Sequence, residues 1–98
     1  MNQWLYLLRP VRPELATNPT PEEAAAVERH FRRLQNMLTE GRLILAGRTM
    51  EDIPFGIVVF DAETEDEARA IMDGDPAVQE GVMTATLHPY RVALMRGN

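Results

Sequence analysis

The sequence has 98 residues, a length that predicts one domain over residues 1–98. Fifteen Asp and Glu residues outweigh ten arginines and give a net charge of −5, which argues against a nucleic-acid partner because phosphate binding needs a basic surface. Cysteine, lysine and serine are absent, so disulfides, thiolate or serine nucleophiles and Schiff-base chemistry are excluded.

The sequence contains no pattern typical of a membrane span, a signal peptide, a nucleotide cofactor or a metal site. No run approaches the roughly 20 apolar residues that cross a bilayer, and no signal-peptide pattern opens the chain. We therefore expect no membrane partner and a cytoplasmic protein, which the lack of cysteine suits. No glycine-rich phosphate loop follows the first predicted strand, and two histidines without cysteine give no metal-ligand spacing. We expect neither a cofactor nor a metal.

Hydrophobic periodicity predicts four strands and two helices. The strands are predicted over residues 3–9, 42–50, 55–61 and 82–94, the last bent near Pro89. The helices are predicted over residues 21–40 and from the cap at Thr64 to Gly74, each with a capping-box signature at its start. Residues 10–19, which hold three prolines, are predicted as a loop, and Asp75-Pro76 is predicted to start one short extra turn.

The first predicted helix is amphipathic. Its apolar residues recur at spacings of three and four and form one stripe, expected to cover the sheet: Ala24, Val27, Phe31, Leu34 and Leu38. The basic cluster of Arg29, Arg32 and Arg33 is interleaved with glutamates, which is typical of the solvated side of a helix.

The order strand, helix, strand, strand, helix, strand predicts an α+β fold of the ferredoxin-like βαββαβ type, with both helices on one face of an antiparallel four-stranded sheet. Residues 43–46 and 57–60 are apolar at successive positions, so both faces of those strands are expected to be buried. In so short a chain, the simplest cover for the second face is another copy of the same sheet. We therefore predict a homodimer.

Four segments of the sequence together carry a resemblance to a known family. In chain order they are His30-Phe31-Arg32-Arg33-Leu34, Glu40-Gly41-Arg42-Leu43-Ile44-Leu45-Ala46-Gly47, Glu67-Ala68, and Asp75-Pro76-Ala77-Val78-Gln79-Glu80-Gly81-Val82. Their order and spacing resemble the YciI-like family, defined by the YCII-related domain, over roughly residues 3–94. The resemblance implies a dimeric α/β barrel of ferredoxin-like protomers.

The resemblance also implies a catalytic pocket centred on His30 and Asp75. Some relatives are associated with elimination or proton transfer on small ring compounds. One departure is Gly47-Arg48-Thr49-Met50, where relatives often have Gly-Pro and a longer, glycine-bearing loop. This departure bears on the size and polarity of the expected pocket mouth.

His30 lies at the border of the apolar stripe, where a side chain would line a pocket. As a general base it needs a neutral imidazole and a carboxylate that fixes its tautomer, and Asp75 is the predicted partner. Asp75 also precedes a proline and is expected to cap a helical turn, a role compatible with accepting from an imidazole. A purely structural role for either residue stays open at this point.

Four further residues are predicted to bind the substrate: Arg48, Tyr6, Arg9 and Leu34. The two arginines lie near strand ends and suit an anionic group through bidentate pairing, with surface ion pairs as the alternative. Tyr6 shares a strand face with Trp4 and is expected to line an aromatic-friendly cavity, with core or dimer packing as the alternative. His88 is expected at a strand edge, outside the site.

Two functions stay open. The first is a small dimeric enzyme for a small organic, possibly cyclic or carboxylated, substrate, with His30 moving a proton and Asp75 holding the imidazole. The second is a non-catalytic ligand-binding or accessory module, and a cofactor-free monooxygenase rests on fold analogy alone. A bare cleft with a His30–Asp75 contact would favour the first function, and a filled pocket without it the second.

Overall fold

The computed structural model describes residues 2–97, which form four strands and three α-helices. The strands are β1 (Asn2–Pro10), β2 (Leu43–Arg48), β3 (Gly56–Ala62) and β4 (Met83–Tyr90). The helices are α1 (Pro21–Thr39), α2 (Glu65–Asp73) and α3 (Pro76–Gln79), and a 3-10 turn at Pro13–Leu15 interrupts the predicted loop. The βαββαβ order is confirmed, with α3 as the predicted extra turn.

The sheet has the order β2-β3-β1-β4, and all neighbours are antiparallel. Alternation along β1 buries Trp4, Tyr6 and Leu8 on the face that the helices cover. The core lies between that face and the helices, and its other members are Leu34, Met37, Val58, Phe60, Ala62, Ala68, Ile71 and Met72. The protein therefore has the predicted α+β ferredoxin-like fold.

The helix starts follow from their caps. The Thr20 hydroxyl accepts from the Glu23 N–H at 3.1 Å, and the Glu23 carboxylate accepts from the Thr20 N–H at 2.8 Å, so this capping box is complete. At Thr64 only the hydroxyl half is present, accepting from the Glu67 N–H at 3.1 Å. Within residues 2–97 no helix combines the length and apolarity needed to cross a membrane.

Two strands are shorter than predicted. β2 ends at Arg48 because the next residue enters a turn, in which the Thr49 hydroxyl accepts from the Phe55 N–H at 3.0 Å. β4 ends at Tyr90, which pairs with Gln3 near the start of β1, so almost no partner strand extends beyond it. Pro89 lies inside β4 without breaking it, because an edge strand tolerates a missing N–H donor.

The second face of the sheet is apolar at its centre and open in a single chain. Leu5 and Leu7 are only partly buried, and Leu5 pairs across the sheet with Val59. The expectation that both faces of β2 are buried is not met within one chain: β2 is an edge strand, and Leu45 is 43% exposed. An apolar surface is therefore left for something else to cover.

The apolar stripe of α1 is not the face that packs on the core, which corrects the prediction. The buried residues of α1 are Ala26, Leu34 and Met37, and only Leu34 belongs to the stripe. Phe31 and Leu38 are 60% and 59% exposed. The reason is that α1 packs against α3 and leaves the rest of its apolar stripe facing a cleft.

Candidate active site

His30 lies near the middle of α1, with a side chain that is 12% exposed. The preceding residue, Arg29, pairs through two guanidinium nitrogens with both carboxylate oxygens of Glu80, the C-cap residue that follows α3. Bidentate pairs of this kind fix geometry as well as adding energy. The ion pair therefore ties α1 to α3 beside His30.

Asp75 is the N-cap of α3 and is wholly buried. Its Oδ1 accepts from the Ala77 N–H at 2.9 Å, which is the capping role expected for an aspartate before proline. Only two residues separate α2 from α3, and α3 contacts α1. The cap residue Asp75 is therefore buried beneath α1.

The two side chains meet. His30 Nδ1 lies 2.7 Å from Asp75 Oδ2 and 2.8 Å from Oδ1, although the residues are 45 positions apart in sequence. An ionised carboxylate can only accept hydrogen bonds, so Nδ1 carries the proton and donates it. Nε2 is then the ring nitrogen available to a ligand.

Asp75 is charged in this setting. Burial alone would raise the pKa of Asp75, but the hydrogen bond from His30, the charge of that ring when it is protonated, and the hydrogen bonds from Tyr6 and Ala77 N–H lower it below its usual value. A buried carboxylate needs such donors because an unpaired buried charge is costly. The arrangement resembles, in its physics, the carboxylate that orients a catalytic histidine.

Tyr6 does not line the cleft, contrary to the prediction. Its side chain is wholly buried, and its hydroxyl donates to Asp75 Oδ2 at 2.6 Å. The ring packs edge-on against Phe60, with 5.6 Å between centroids. The expected strand face is therefore correct, but on that face Tyr6 lies in the core, behind the carboxylate.

Arg33 was predicted on the solvated side of α1 and instead turns inward. Its Nη1 is buried and has no hydrogen-bond partner among residues 2–97. The guanidinium lies close to the Tyr6 hydroxyl and opposes the rise in the pKa of Tyr6 that burial and the Asp75 charge produce. A usable signal was its spacing: Arg33 follows His30 by three residues, so both lie on one face of the helix.

A cleft of about 960 Å³ opens between α1 and strands β2 and β3. His30 lines it, and so does the whole apolar stripe of α1: Ala24, Val27, Phe31, Leu34 and Leu38. Leu8 and Val58 contribute from the sheet. His30 therefore belongs to the wall of a mainly apolar chamber, a common form of small-molecule site.

Of the other three predicted binding residues, two line the cleft and one does not. Leu34 and Arg48 line the cleft, Leu34 as a largely buried residue and Arg48 as an exposed residue at the end of β2. Arg9 does not line it, and its guanidinium stacks over the Phe55 ring, 5.3 Å from the centroid. Among residues 2–97 no group of three or more His, Asp or Glu side chains is placed to hold a metal ion.

The fold and the paired side chains define a member of a known class of small α+β domains. Residues 5–87 match the YCII-related domain, and the chain belongs to that family. Among solved structures, the chain is similar to 5-chloro-2-hydroxyhydroquinone dehydrochlorinase (TftG) from Burkholderia phenoliruptrix AC1100 in complex with 2,5-dihydroxybenzoquinone. The TM-score is 0.64, with 16% sequence identity, over 90% of this chain and 93% of that chain. At this identity the likeness is one of fold. No match was found among curated proteins.

Proposed function

We propose that this protein is a small dimeric enzyme in which His30 serves as general base and acid on a small organic molecule held in the cleft. The observation that carries the proposal is the contact between His30 Nδ1 and the Asp75 carboxylate at the wall of an open, mainly apolar cleft. A module that only binds a ligand needs no buried carboxylate behind its histidine. The pair therefore favours catalysis over a non-catalytic accessory role.

The proposed chemistry is proton transfer at His30 Nε2. This nitrogen removes a proton from the substrate, while Nδ1–H keeps its hydrogen bond to Asp75, whose negative charge stabilises the imidazolium. For a chlorinated hydroxyhydroquinone, a proton first moves from one hydroxyl group to the carbon that bears chlorine, which gives a keto tautomer. The electron pair of a second, broken O–H bond then forms a C=O bond as the ring double bond shifts, and chloride departs with its own bonding pair. The imidazolium then returns its proton to the leaving group or to water.

The cleft lining indicates a substrate with a large apolar surface. Phe31 and its stripe neighbours supply that surface, while Glu28 and Arg48 place opposite charges in the lining. A planar ring with hydroxyl groups fits this lining, and the chlorinated, hydroxylated ring in the name of the fold neighbour supports it. In a carboxylated substrate, Arg48 is the residue that would pair with the carboxylate.

A homodimer is the second part of the proposal. Leu5, Leu7, Ile57 and Leu45 leave an apolar surface on and beside the second face of the sheet. A second copy packed face to face would bury it. Sedimentation at micromolar concentration should give a mass near twice that of one chain, and a monomer there would contradict this part alone.

The activity is tested with chlorinated hydroxyhydroquinones, starting from 5-chloro-2-hydroxyhydroquinone, by following halide release and quinone absorbance. His30→Ala should lower kcat by about 10² to 10⁴, the usual contribution of general acid–base help. His88→Ala is the matched control for the loss of an imidazole, because His88 is exposed on β4, outside the cleft, and its ring hydrogen-bonds the Thr86 hydroxyl at 3.0 Å. Because His88 pairs with Leu5 on the second face of the sheet, sedimentation of this variant must show the same mass as the parent. Activity in His30→Ala within a few-fold of the parent would show that His30 is not the base. Tight binding without turnover across the panel would favour the non-catalytic role.

A further inference from the structure

The phenol of Tyr6 donates a hydrogen bond to the Asp75 carboxylate of the His30–Asp75 pair, and it does not line the cleft. Tyr6 is wholly buried, and its hydroxyl donates to Asp75 Oδ2 at 2.6 Å. On the other carboxylate oxygen, the Ala77 N–H donates to Oδ1 at 2.9 Å. The carboxylate is thus held at both oxygens by donors other than His30.

We propose that Tyr6 is a positioning residue for the pair, an inference that rests on the proposed function. With one donor fixed on each oxygen, the plane of the carboxylate cannot rotate, and both oxygens stay within 2.8 Å of His30 Nδ1. A carboxylate held by Ala77 alone could turn about its Cβ–Cγ bond. Tyr6 therefore fixes the ring orientation of His30 through Asp75, without touching the substrate.

The donor and the acceptor can be assigned in both the Tyr6–Asp75 and the His30–Asp75 hydrogen bonds. Burial and the neighbouring Asp75 raise the pKa of Tyr6, so the phenol keeps its proton and donates. Asp75 is then an acceptor from Tyr6 and must also accept from His30, because a carboxylate cannot donate. A permanent donor at Tyr6 consequently favours the tautomer with the proton on Nδ1.

Arg33 is a second charged neighbour of the Tyr6 phenol. The Tyr6 oxygen has lone pairs left after its proton points to Asp75, and the Arg33 guanidinium lies near it with Nη1 buried. A nearby positive charge favours the phenol orientation in which the oxygen faces Arg33 and the proton faces Asp75. Groups from β1, α1 and the α3 cap therefore act on the same phenol and carboxylate.

The test is Tyr6→Phe, read by NMR of ¹⁵N-labelled histidine. Two histidines are present, so His88→Gln assigns the signals. The parent should show a protonated Nδ1 and an unprotonated Nε2 at His30. In Tyr6→Phe, the Nδ1 proton should exchange with water about tenfold faster or more, because a hydrogen bond to a charged group is lost. Trp4→Phe is the matched control, since it removes a buried hydrogen bond from the same strand face, to the Ala62 carbonyl at 3.1 Å, and should leave the His30 signals unchanged.

A second variant covers the case in which Tyr6→Phe does not fold. Fluorotyrosine incorporated in a Tyr90→Phe background labels Tyr6 alone, since the chain has two tyrosines. A more acidic phenol donates more strongly to Asp75, so the His30 Nδ1–H resonance should shift.

Unchanged His30 spectra in either the Phe or the fluorotyrosine protein would overturn the positioning role. These spectra need no substrate, so the result stands even if His30→Ala proves that His30 is not a base. In an active enzyme, Tyr6→Phe should lower kcat while leaving KM near the parent value, because Tyr6 does not line the cleft.

Discussion

A methyl group on Gly74 would compete with the guanidinium of Arg33 for the same space. An ideal Cβ at Gly74 would lie 3.1 Å from Arg33 Nη2 and 3.1 Å from the Ala70 carbonyl oxygen. The φ of Gly74 is −82°, so the backbone does not require glycine, and it is the tight space that disfavours a side chain. The missing side chain lets Arg33 of α1 pass the end of α2 and approach Tyr6.

Gly74→Ala should therefore lower the free energy of unfolding by about 1 to 3 kcal/mol, the usual cost of overpacking. Denaturant titration measures this. Gly47→Ala is the control, because a Cβ there meets nothing within 4 Å, and its change should stay within about 0.5 kcal/mol. Equal effects at the two glycines would contradict the shared-space interpretation.

Phe31 and Met37 lie six residues apart on α1, Phe31 exposed and Met37 buried, and truncation of each should change a different property. Phe31→Ala removes an exposed cleft residue, so the free energy of unfolding should change by no more than about 0.5 kcal/mol while ligand affinity falls. Met37→Ala opens a cavity in the core and should cost about 2 to 5 kcal/mol. Thermal melts with and without 2,5-dihydroxybenzoquinone separate the two effects. A large loss of stability in Phe31→Ala would place the stripe in the core after all.

Asp75 should make stability depend on acid. Its pKa is lower in the folded protein than in the unfolded chain, whose reference value is 3.8. Its contribution is thus fully present above that reference value and is lost as pH falls through the folded pKa. Asp75→Asn should cost about 1 to 3 kcal/mol at pH 7, from the buried hydrogen bonds it weakens. The gap between parent and variant should narrow below pH 3.8 in denaturant titrations, and a gap that widens there would give the shift the wrong sign.

Glu23 should produce a separate effect at the start of α1. The hydrogen bond from the Arg12 guanidinium, followed by that from the Thr20 N–H, lowers the pKa of Glu23 from 4.5 to about 2. The stabilisation is present above pH 4.5 and disappears as pH falls towards 2. Melting temperatures of the parent and of Glu23→Gln should converge across that window. Glu22→Gln, which removes a neighbouring charge outside the capping box, should show no such convergence.

The fold could be predicted because its signals are local. Alternation in β1 marked Trp4, Tyr6 and Leu8 as one face, and the caps at Thr20 and Thr64 marked both long helices. The strand ends could not be placed, since they depend on where the partner strand stops. Tyr90, for example, ends β4 because it pairs next to the start of β1.

The site could be predicted only in part. His30 and Asp75 were named through family resemblance, since nothing local brings together residues 45 positions apart. Periodicity also cannot distinguish an apolar stripe that meets a core from one that lines a cleft, so the role of Phe31 was misjudged. Arg33 was missed because a charged helix residue among glutamates is usually solvated. The room for its guanidinium depends on Gly74, the residue that follows α2.

Asp75 serves two structures at once, as the cap of a four-residue helix and as the partner of His30. Fraying of α3 would release the Ala77 N–H from Asp75, loosen the carboxylate and set the imidazole free, while the sheet stays intact. The geometry of the His30–Asp75 pair thus depends on a local opening of α3, whose free energy is lower than that of global unfolding. Hydrogen exchange at the Ala77 amide would report the free energy of this opening. That free energy gives the fraction of molecules in which Asp75 still holds the ring of His30, and the measurement needs no substrate.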